Sequence, residues 1–248
     1  MSVARPARGM LITTSWDDGH PLDFRIADLL AKYGLAGTFY VPITSTRRTL
    51  SPAEIKDLAG SFEIGAHTLH HVRLVGIDPA RAKSEIVASK SRLEDILGRP
   101  CSIFCFPGGS YTSAHLDMLR EAGFTAARTV ELLSIQRPRV QHGIAIIPTS
   151  IQAYSHDAGC YLKNVAKRGS IRGFTNLLFS GATTLWPSLA QALLERAAEK
   201  GGVFHLWGHS WEIEEGREWD KLSQVFRMLA QYKDRAVFTA NTGLCSHG

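Results

Sequence analysis

The sequence predicts an α/β domain built on a parallel sheet, and three observations point to it. Short apolar runs rich in β-branched and aromatic residues alternate with longer segments of helical apolar spacing, as successive βαβ units do. The length, 248 residues, suits one or two domains, and single (β/α) barrels fall in this range. The polar motifs stand directly after the apolar runs, where a parallel sheet gathers its strand ends on one face. The alternation accommodates either a barrel or a doubly wound sheet. No internal repeat or linker divides residues 1–248, so one domain is expected.

The first strand begins at Met10-Leu11-Ile12 and carries Ser15-Trp16-Asp17-Asp18-Gly19-His20 at its end. Leu22, Ile26, Leu29 and Leu30 have helical spacing, with Gly34 where a C-cap belongs. Gly37 to Val41 reads as a strand stopped by Pro42. Ser51-Pro52-Ala53-Glu54 has the cap, first-turn proline and third-position acid of a helix start, and that helix runs to about Ala59. Phe62 to Ala66 is the third strand and delivers His67-Thr68-Leu69-His70-His71. Asp78-Pro79 opens a helix that ends at Gly98. Ser102 to Phe106 is a strand leading into Pro107-Gly108-Gly109-Ser110-Tyr111. A helix over 113–121 and a strand over Phe124–Arg128 follow.

From Thr129 to about Leu185 the pattern weakens. A short strand is expected at Ile144–Ile147 before Pro148, and a helix over Asp157–Arg168, while 170–184 has no assignable period. Regularity returns with a helix over 187–200, a strand over Val203–Trp207 leading to Gly208-His209, a helix over 219–232 and a strand near Ala236–Phe238.

Composition sets outer bounds. With 44% hydrophobic and 21% charged residues the chain can build an ordinary core. No apolar run approaches the roughly 20 residues needed to cross a bilayer. Arg5 and Arg8 precede an apolar stretch too short for a leader peptide, so the expected location is the cytoplasm. Cys101, Cys105, Cys160 and Cys245 form no CxxC pair, and Cys101 and Cys105, four residues apart on one strand and too far for a disulfide, read as small buried hydrophobes. The net charge of +5 is scattered; Lys163, Lys167, Arg168 and Arg172 come nearest to a cluster and read as a solvated helix face, with an anionic substrate or membrane surface as the alternative. No motif supports a nucleic-acid partner, and nothing fixes the oligomeric state.

Two motifs carry chemistry. Adjacent carboxylates at a strand end point in different directions, so Asp17 and Asp18 can serve a metal and a reacting group separately; helix capping is the competing use. His67 and His71 are four residues apart, and one helical turn would put both on the same side. Together with Asp18 they make a two-histidine, one-carboxylate set that leaves positions open on a divalent ion: zinc, with cobalt, nickel or iron also accepted. His70 should face elsewhere. His20, His115, His142, His156 and His205 have no partner by spacing and are expected on the surface or in the core. Trp16 and Tyr111 suit either the cleft or packing.

With these residues in view the chain resembles the polysaccharide deacetylases, the family of the NodB homology domain (carbohydrate esterase family 4). Ser15 to Gly19 is similar to that family's TFDDG motif, His67 to His71 to its H-[ST]-x-x-H motif, and Leu206-Trp207-Gly208-His209 supplies a late histidine. The resemblance implies a distorted (β/α) barrel of about seven parallel strands that removes N-acetyl groups from an N-acetylated saccharide. It assigns the metal to Asp18, His67 and His71, the general base to Asp17 and the general acid to His209. The turn at Pro107 and Gly108 is expected to offer the Gly108 N–H to the oxyanion, and Trp207 to narrow the acyl pocket. The family's R-x-P-[FWY]-G motif is altered: Cys105 stands in place of its arginine and Gly108 in place of its aromatic residue. Arg128, at the end of the next strand, is the candidate replacement for the arginine. Trp211 and Glu212 are placed to flank His209. Two rival functions follow from these departures: hydrolysis of a non-sugar amide, cyclic amide or formamide at the same metal, or a catalytically weak saccharide-binding relative. A mere binder has no need of all five of Asp17, Asp18, His67, His71 and His209.

Overall fold

The structure, a computed structural model, describes residues 9–168, 171–181 and 183–246. Arg5 and Arg8, weighed above as a leader's flank, lie outside the described residues. The strands are β1 (Leu11–Asp17), β2 (Thr38–Val41), β3 (Glu63–Ala66), β4 (Ile103–Cys105), β5 (Ala126–Arg128), β6 (Arg139–Gln141), β7 (Ile144–Ile147), β8 (Ile151–Gln152), β9 (Val203–Gly208) and β10 (Val237–Phe238). They form one sheet in the order β6-β7-β5-β4-β3-β2-β1-β9-β8, with β10 added to β1. Every pairing is parallel except β6 with β7.

Barrel closure falls to the run from β7 to β8. Its first half pairs with β5 and its second half with β9, so it stands between the two. Pro148, which has no N–H to donate, interrupts the ladder where the run changes partner. The staves are then β1, β2, β3, β4, β5, the β7–β8 run and β9, which is the distorted barrel of about seven parallel strands. β6, which sequence periodicity misses, hangs on β7 through a two-residue turn at His142-Gly143. Both turn residues have positive φ, 50° and 77°, as a tight hairpin with matched twist requires.

The helices α1 (Asp23–Tyr33), α2 (Pro52–Leu58), α3 (Pro79–Leu97), α4 (Ser113–Glu121), α5 (Ala158–Arg168), α6 (Ile171–Phe179), α7 (Trp186–Lys200), α8 (Ser210–Glu215) and α9 (Trp219–Ala230) surround the sheet. Their starts follow the sequence signals. Ser51 and Glu54 form a reciprocal capping box at α2, and the Asp78 carboxylate accepts from the Arg81 N–H at α3. The segment 170–184, unassignable by period, contains α6. None of the described helices is long and apolar enough to cross a membrane.

Strand pleating sorts the side chains into two populations. On β1, Ile12 and Trp16 point outward into the helix layer, where the Trp16 ring meets Phe226 edge-on. Trp16 is therefore a core residue. Leu11, Tyr40, Ile103, Cys105, Ala126, Ile147 and Val203 form a separate cluster inside the staves. The inner positions also carry polar groups. Asn241 ties Thr13 to Tyr40 through bonds of 2.8 Å each, and Ser15 meets His205 Nε2 at 2.9 Å. Asp17 is the last inward position of β1 and so sits at the C-terminal mouth.

Gly65 on β3 has no room for a side chain: an added Cβ would stand 2.5 Å from the Tyr40 ring. Gly65→Ala should therefore destabilise the protein by about 1–3 kcal/mol. Urea denaturation with an unchanged far-UV spectrum checks this, and an unaltered midpoint would show that the Tyr40 ring is free to move aside.

Candidate functional site

The backbone separates the two aspartates. β1 ends at Asp17, and Asp18 turns the chain with φ of 79°, so a left-handed turn, rather than the pleat the sequence suggests, sends their carboxylates apart. The histidine motif likewise departs from expectation. Residues 67–71 form no helical turn; Thr68 and His71 have φ of 63° and 54°, and the Val72 N–H is held by Thr68 Oγ at 3.1 Å. This tight bend, rather than a 3.6-residue period, brings the His67 and His71 rings within 4.9 Å. Among the described residues, three of the six non-glycine positive-φ residues thus lie in these two motifs. Such conformations cost on the order of 1–3 kcal/mol each and persist where surrounding contacts over-determine them.

Asp18 Oδ1 lies 3.0 Å from His71 Nε2 and 3.6 Å from His67 Nε2. One ligand atom from each of Asp18, His67 and His71 falls within 4.8 Å of the others. The His67 Nδ1–H donates to the Cys105 carbonyl at 2.8 Å, which leaves the Nε2 lone pair aimed at the cluster. Trp211 Nε1 donates to Asp18 Oδ2 at 2.9 Å, while Asp18 Oδ1 is buried without a hydrogen-bond partner. A buried carboxylate oxygen with no donor is costly, and a cation between it and two imidazole lone pairs would satisfy it. The donor set therefore fits a divalent metal. With the two imidazoles protonated in place of an ion, burial still pushes the Asp18 carboxyl up, but hydrogen bonds donated by His67 and His71 outweigh it and hold the group well below the usual carboxylate range. His70 turns away, bonding Glu85 at 2.7 Å with its ring half exposed. A second close grouping sets Asp17 with His67 and Cys105, whose thiol burial drives well up.

Arg128 reaches Asp17 across the mouth of the barrel. Its Nη2 donates to Asp17 Oδ1, and Cys105 Sγ lies 3.8 Å from Asp17 Oδ2. The sheet register explains how an arginine of the next strand arrives there. Cys105 and Arg128 are directly paired on β4 and β5, both pointing inward, and the short cysteine leaves the guanidinium its space. Arg128 is fully buried between aromatic rings, its carbon centre 4.6 Å from the Trp207 centroid and 5.2 Å from that of Tyr40. Burial disfavours its charge, yet Asp17 outweighs that penalty and raises its pKa.

His209 follows β9 and caps α8. Its Nδ1 meets Glu212 Oε2 at 2.6 Å, and Gln152 donates to the same oxygen at 2.8 Å. Its Nε2 points back to the metal cluster, 3.9 Å from Asp18 Oδ2. Burial lowers the imidazole pKa, but the Glu212 bond and the Asp17 charge more than offset it, and the result is a raised value. Trp207 lies edge-on to His209 at 5.5 Å. Pro107 and Gly108 form a short turn in which the Gly109 N–H bonds Phe106 O. Gly108 is exposed with φ of 67°, and a Cβ there would stand 2.8 Å from the Arg73 guanidinium.

The remaining described histidines have structural partners, His20 accepting from the Leu22 N–H at 3.2 Å. His205 is in the core with Ser15 and the Pro148 carbonyl, its pKa depressed to about 3 first by burial. His115 caps α4, His142 meets Asp117 and His156 meets Gln152. Tyr111 stacks on Phe106. Sequence reasoning missed the Trp211–Asp18 bond and missed Asp23 altogether. Asp23 is fully buried under α8 and accepts from Ser210 Oγ at 2.5 Å, and burial drives its carboxyl well up. An acid in a first helical turn reads as an ordinary dipole partner, which hides it.

Comparison with known proteins agrees with the motifs. The sequence model of the family described as Polysaccharide deacetylase matches residues 4–127, half of the chain. The YxkH protein of Bacillus subtilis (strain 168) is 23% identical over 165 residues, which cover 65% of this chain and 59% of YxkH. The chain thus spans about three fifths of that relative's length. Among solved structures, the PuuE allantoinase is similar at a TM-score of 0.70 and 11% identity, covering 99% of this chain and 91% of that one. A family 4 acetyl xylan esterase from Clostridium thermocellum, solved with a cobalt ion, is similar at a TM-score of 0.57 and 16% identity, covering 95% and 90%. At these identities the likeness concerns the fold.

The raised His209 value predicts a pH-dependent stability. Its contribution is complete below the ordinary imidazole pKa of about 6.5 and is lost as pH rises through the raised folded value. In metal-free protein, Glu212→Gln should therefore cost about 1–3 kcal/mol at pH 6 and distinctly less at pH 9. Chemical denaturation at the two pH values measures the difference; an equal cost at both would show that His209 charge is not what Glu212 stabilises.

Proposed function

The chain belongs to the polysaccharide deacetylase family, and from that premise we propose that it is a metal-dependent amide hydrolase removing N-acetyl groups from an N-acetylated saccharide. The observation that carries this reading is the orphaned Asp18 Oδ1 facing two imidazole nitrogens, with an acid–base pair in Asp17 and His209 beside it. Asp18, His67 and His71 would hold the ion, zinc by donor preference, with cobalt, nickel or iron accepted by the same set. When bound, the metal supplies a Lewis acid for the acyl oxygen and lowers the pKa of water toward neutrality.

The protein's own groups supply the proton traffic. Asp17 accepts the proton of the attacking water, its carboxylate held by Arg128 on Oδ1 and approached by the Cys105 thiol at 3.8 Å on Oδ2. The Gly108 N–H, in the turn begun by Pro107, is the donor proposed for the developing oxyanion; its neighbour's N–H is already taken by Phe106 O. His209, held by Glu212 with Nε2 facing the cluster, gives its proton to the departing amine. Trp207 walls the acyl pocket and also covers Arg128, so one ring serves both. The four cysteines are free thiols, which supports a reducing, cytoplasmic setting and hence an oligosaccharide or sugar-lipid precursor as substrate. We place this activity in one catalytic domain spanning 1–248.

A second reading keeps the metal and changes the bond, to a cyclic or other non-sugar amide. It is supported by Arg73, whose guanidinium overlies Gly108 where the family carries an aromatic residue that suits a sugar face. Release of acetate from N-acetylglucosamine oligomers, run beside formyl and cyclic amides with metal analysis, separates the two. Absence of bound metal together with no product from any of them would overturn both readings.

Two sets of substitutions test the roles. Asp18→Ala or His71→Ala should abolish metal binding, whereas Asp17→Asn should keep it and lower kcat by about 10²–10⁴. Metal content by mass spectrometry beside kinetics reads out both. Arg128→Ala should lower kcat and destabilise the fold by about 3–5 kcal/mol, because it strands a buried carboxylate. Unchanged turnover in a folded Arg128→Ala protein would remove Arg128 from the mechanism.

A further inference from the structure

At the end of the barrel opposite the Asp17–His209 mouth, a cavity of about 480 Å³ is bordered by Gln136, Arg137, Arg172, Asn176, Arg196 and Lys200, among others. Among the described residues that line it, four are cationic and none is Asp or Glu. The cations come from three places in the chain: the segment after β5, helix α6 and the end of α7. Neutral groups aim them. Arg172 Nη1 donates to Gln136 at 2.7 Å, Arg196 Nε donates to Asn176 at 3.2 Å and packs over the Phe179 ring, and Arg137 donates to the Gly9 carbonyl. Four like charges around one cavity with no lining carboxylate repel one another, and an anion entering it relieves that repulsion.

The same helix bears an apolar row beside the cavity. On α6, Gly173, Asn176 and Leu177 are buried, while Ile171, Phe174 and Leu178 share the outward stripe. Ile171 is 80% exposed and Leu178 59% exposed, and Leu162 of α5 is exposed nearby in sequence. Arg172 and Thr175 lie between this stripe and the cavity, and Lys163 stands exposed on α5. Apolar side chains on the outward face of a short amphipathic helix, flanked by cations, suit the boundary of an anionic bilayer: the apolar row enters the acyl edge and the cations meet phosphates.

We propose that α6 and the cationic cavity beside it form a docking surface for an anionic phospholipid membrane, the cavity receiving a lipid phosphate. This surface owes nothing to the metal cluster, and it would hold the catalytic mouth at a fixed attitude to the bilayer. It also gives Lys163 and Arg172, which the sequence reads as part of a solvated helix face, a partner of opposite charge; the side chains of Lys167 and Arg168 lie outside what the structure describes.

Co-sedimentation of the full chain with phosphatidylcholine vesicles, with and without phosphatidylglycerol, tests it. Binding is expected only to the anionic vesicles and should weaken with added salt. Arg172→Glu combined with Lys200→Glu should reduce partitioning by about tenfold or more, and Ile171→Asp combined with Leu178→Asp should reduce it comparably. Thermal midpoint and hydrolysis of a soluble substrate should be unaffected. Where a double variant fails to fold, Arg172→Gln and Ile171→Ser give the same comparison. Failure to bind anionic vesicles overturns the proposal. So does stabilisation by inorganic phosphate without vesicle binding, which would make the cavity a site for a free phosphate. Self-association lost in the Ile171/Leu178 variant, again without vesicle binding, would assign the face to a second copy of the chain and overturn it equally.

Discussion

The ion pair between Arg128 and Asp17 is the constraint on which the mouth of this barrel depends. Both groups are buried, and each charge is tolerable only because the other is there. Tyr40 and Trp207 enclose the guanidinium, Gly65 gives the Tyr40 ring its room, and Cys105 is small enough to admit the arginine from the neighbouring strand. Sheet register, one aromatic ring, one glycine and one cysteine therefore converge on the aim of a single carboxylate.

Around that pair the site divides its labour by burial and by partner. Asp18 takes an indole N–H on one oxygen and leaves the other for two imidazoles, so its local balance is incomplete without a cation. His67 has its tautomer fixed by a backbone carbonyl, and His209 has its basicity raised by Glu212. The late histidine thus differs from His67 in the group behind it: a carboxylate favours a proton on the ring, whereas a carbonyl leaves the far nitrogen free for a metal.

Much of this was legible in the chain because it is local. Capping at Ser51 and Asp78, the apolar strand runs and the placement of polar motifs after strands are short-range patterns, and they led to the right elements and the right face. Misreadings occurred where backbone conformation departs from a regular period. His67 and His71 approach through left-handed residues and not through a helical turn, and Asp18 leaves its strand instead of continuing the pleat. The strand β6 and helix α6 escaped because a His-Gly turn is a weak hairpin signal and because α6 shows its apolar residues to the outside as well as the inside.

By itself the sequence determined the parallel α/β class, and it singled out Asp18, His67 and His71 as a candidate ligand set and Asp17 and His209 as a candidate base and acid, since each motif is a short pattern directly after an apolar strand run. Only the tertiary structure put the Arg128 guanidinium on Asp17 Oδ1 and the Trp211 indole on Asp18, made Trp16 a core residue, and placed a fully buried Asp23 beneath α8. Those facts rest on strand register and on which way a side chain leaves the sheet. Contacts such as Asp17 to Arg128 join residues more than a hundred positions apart, and no local pattern encodes them.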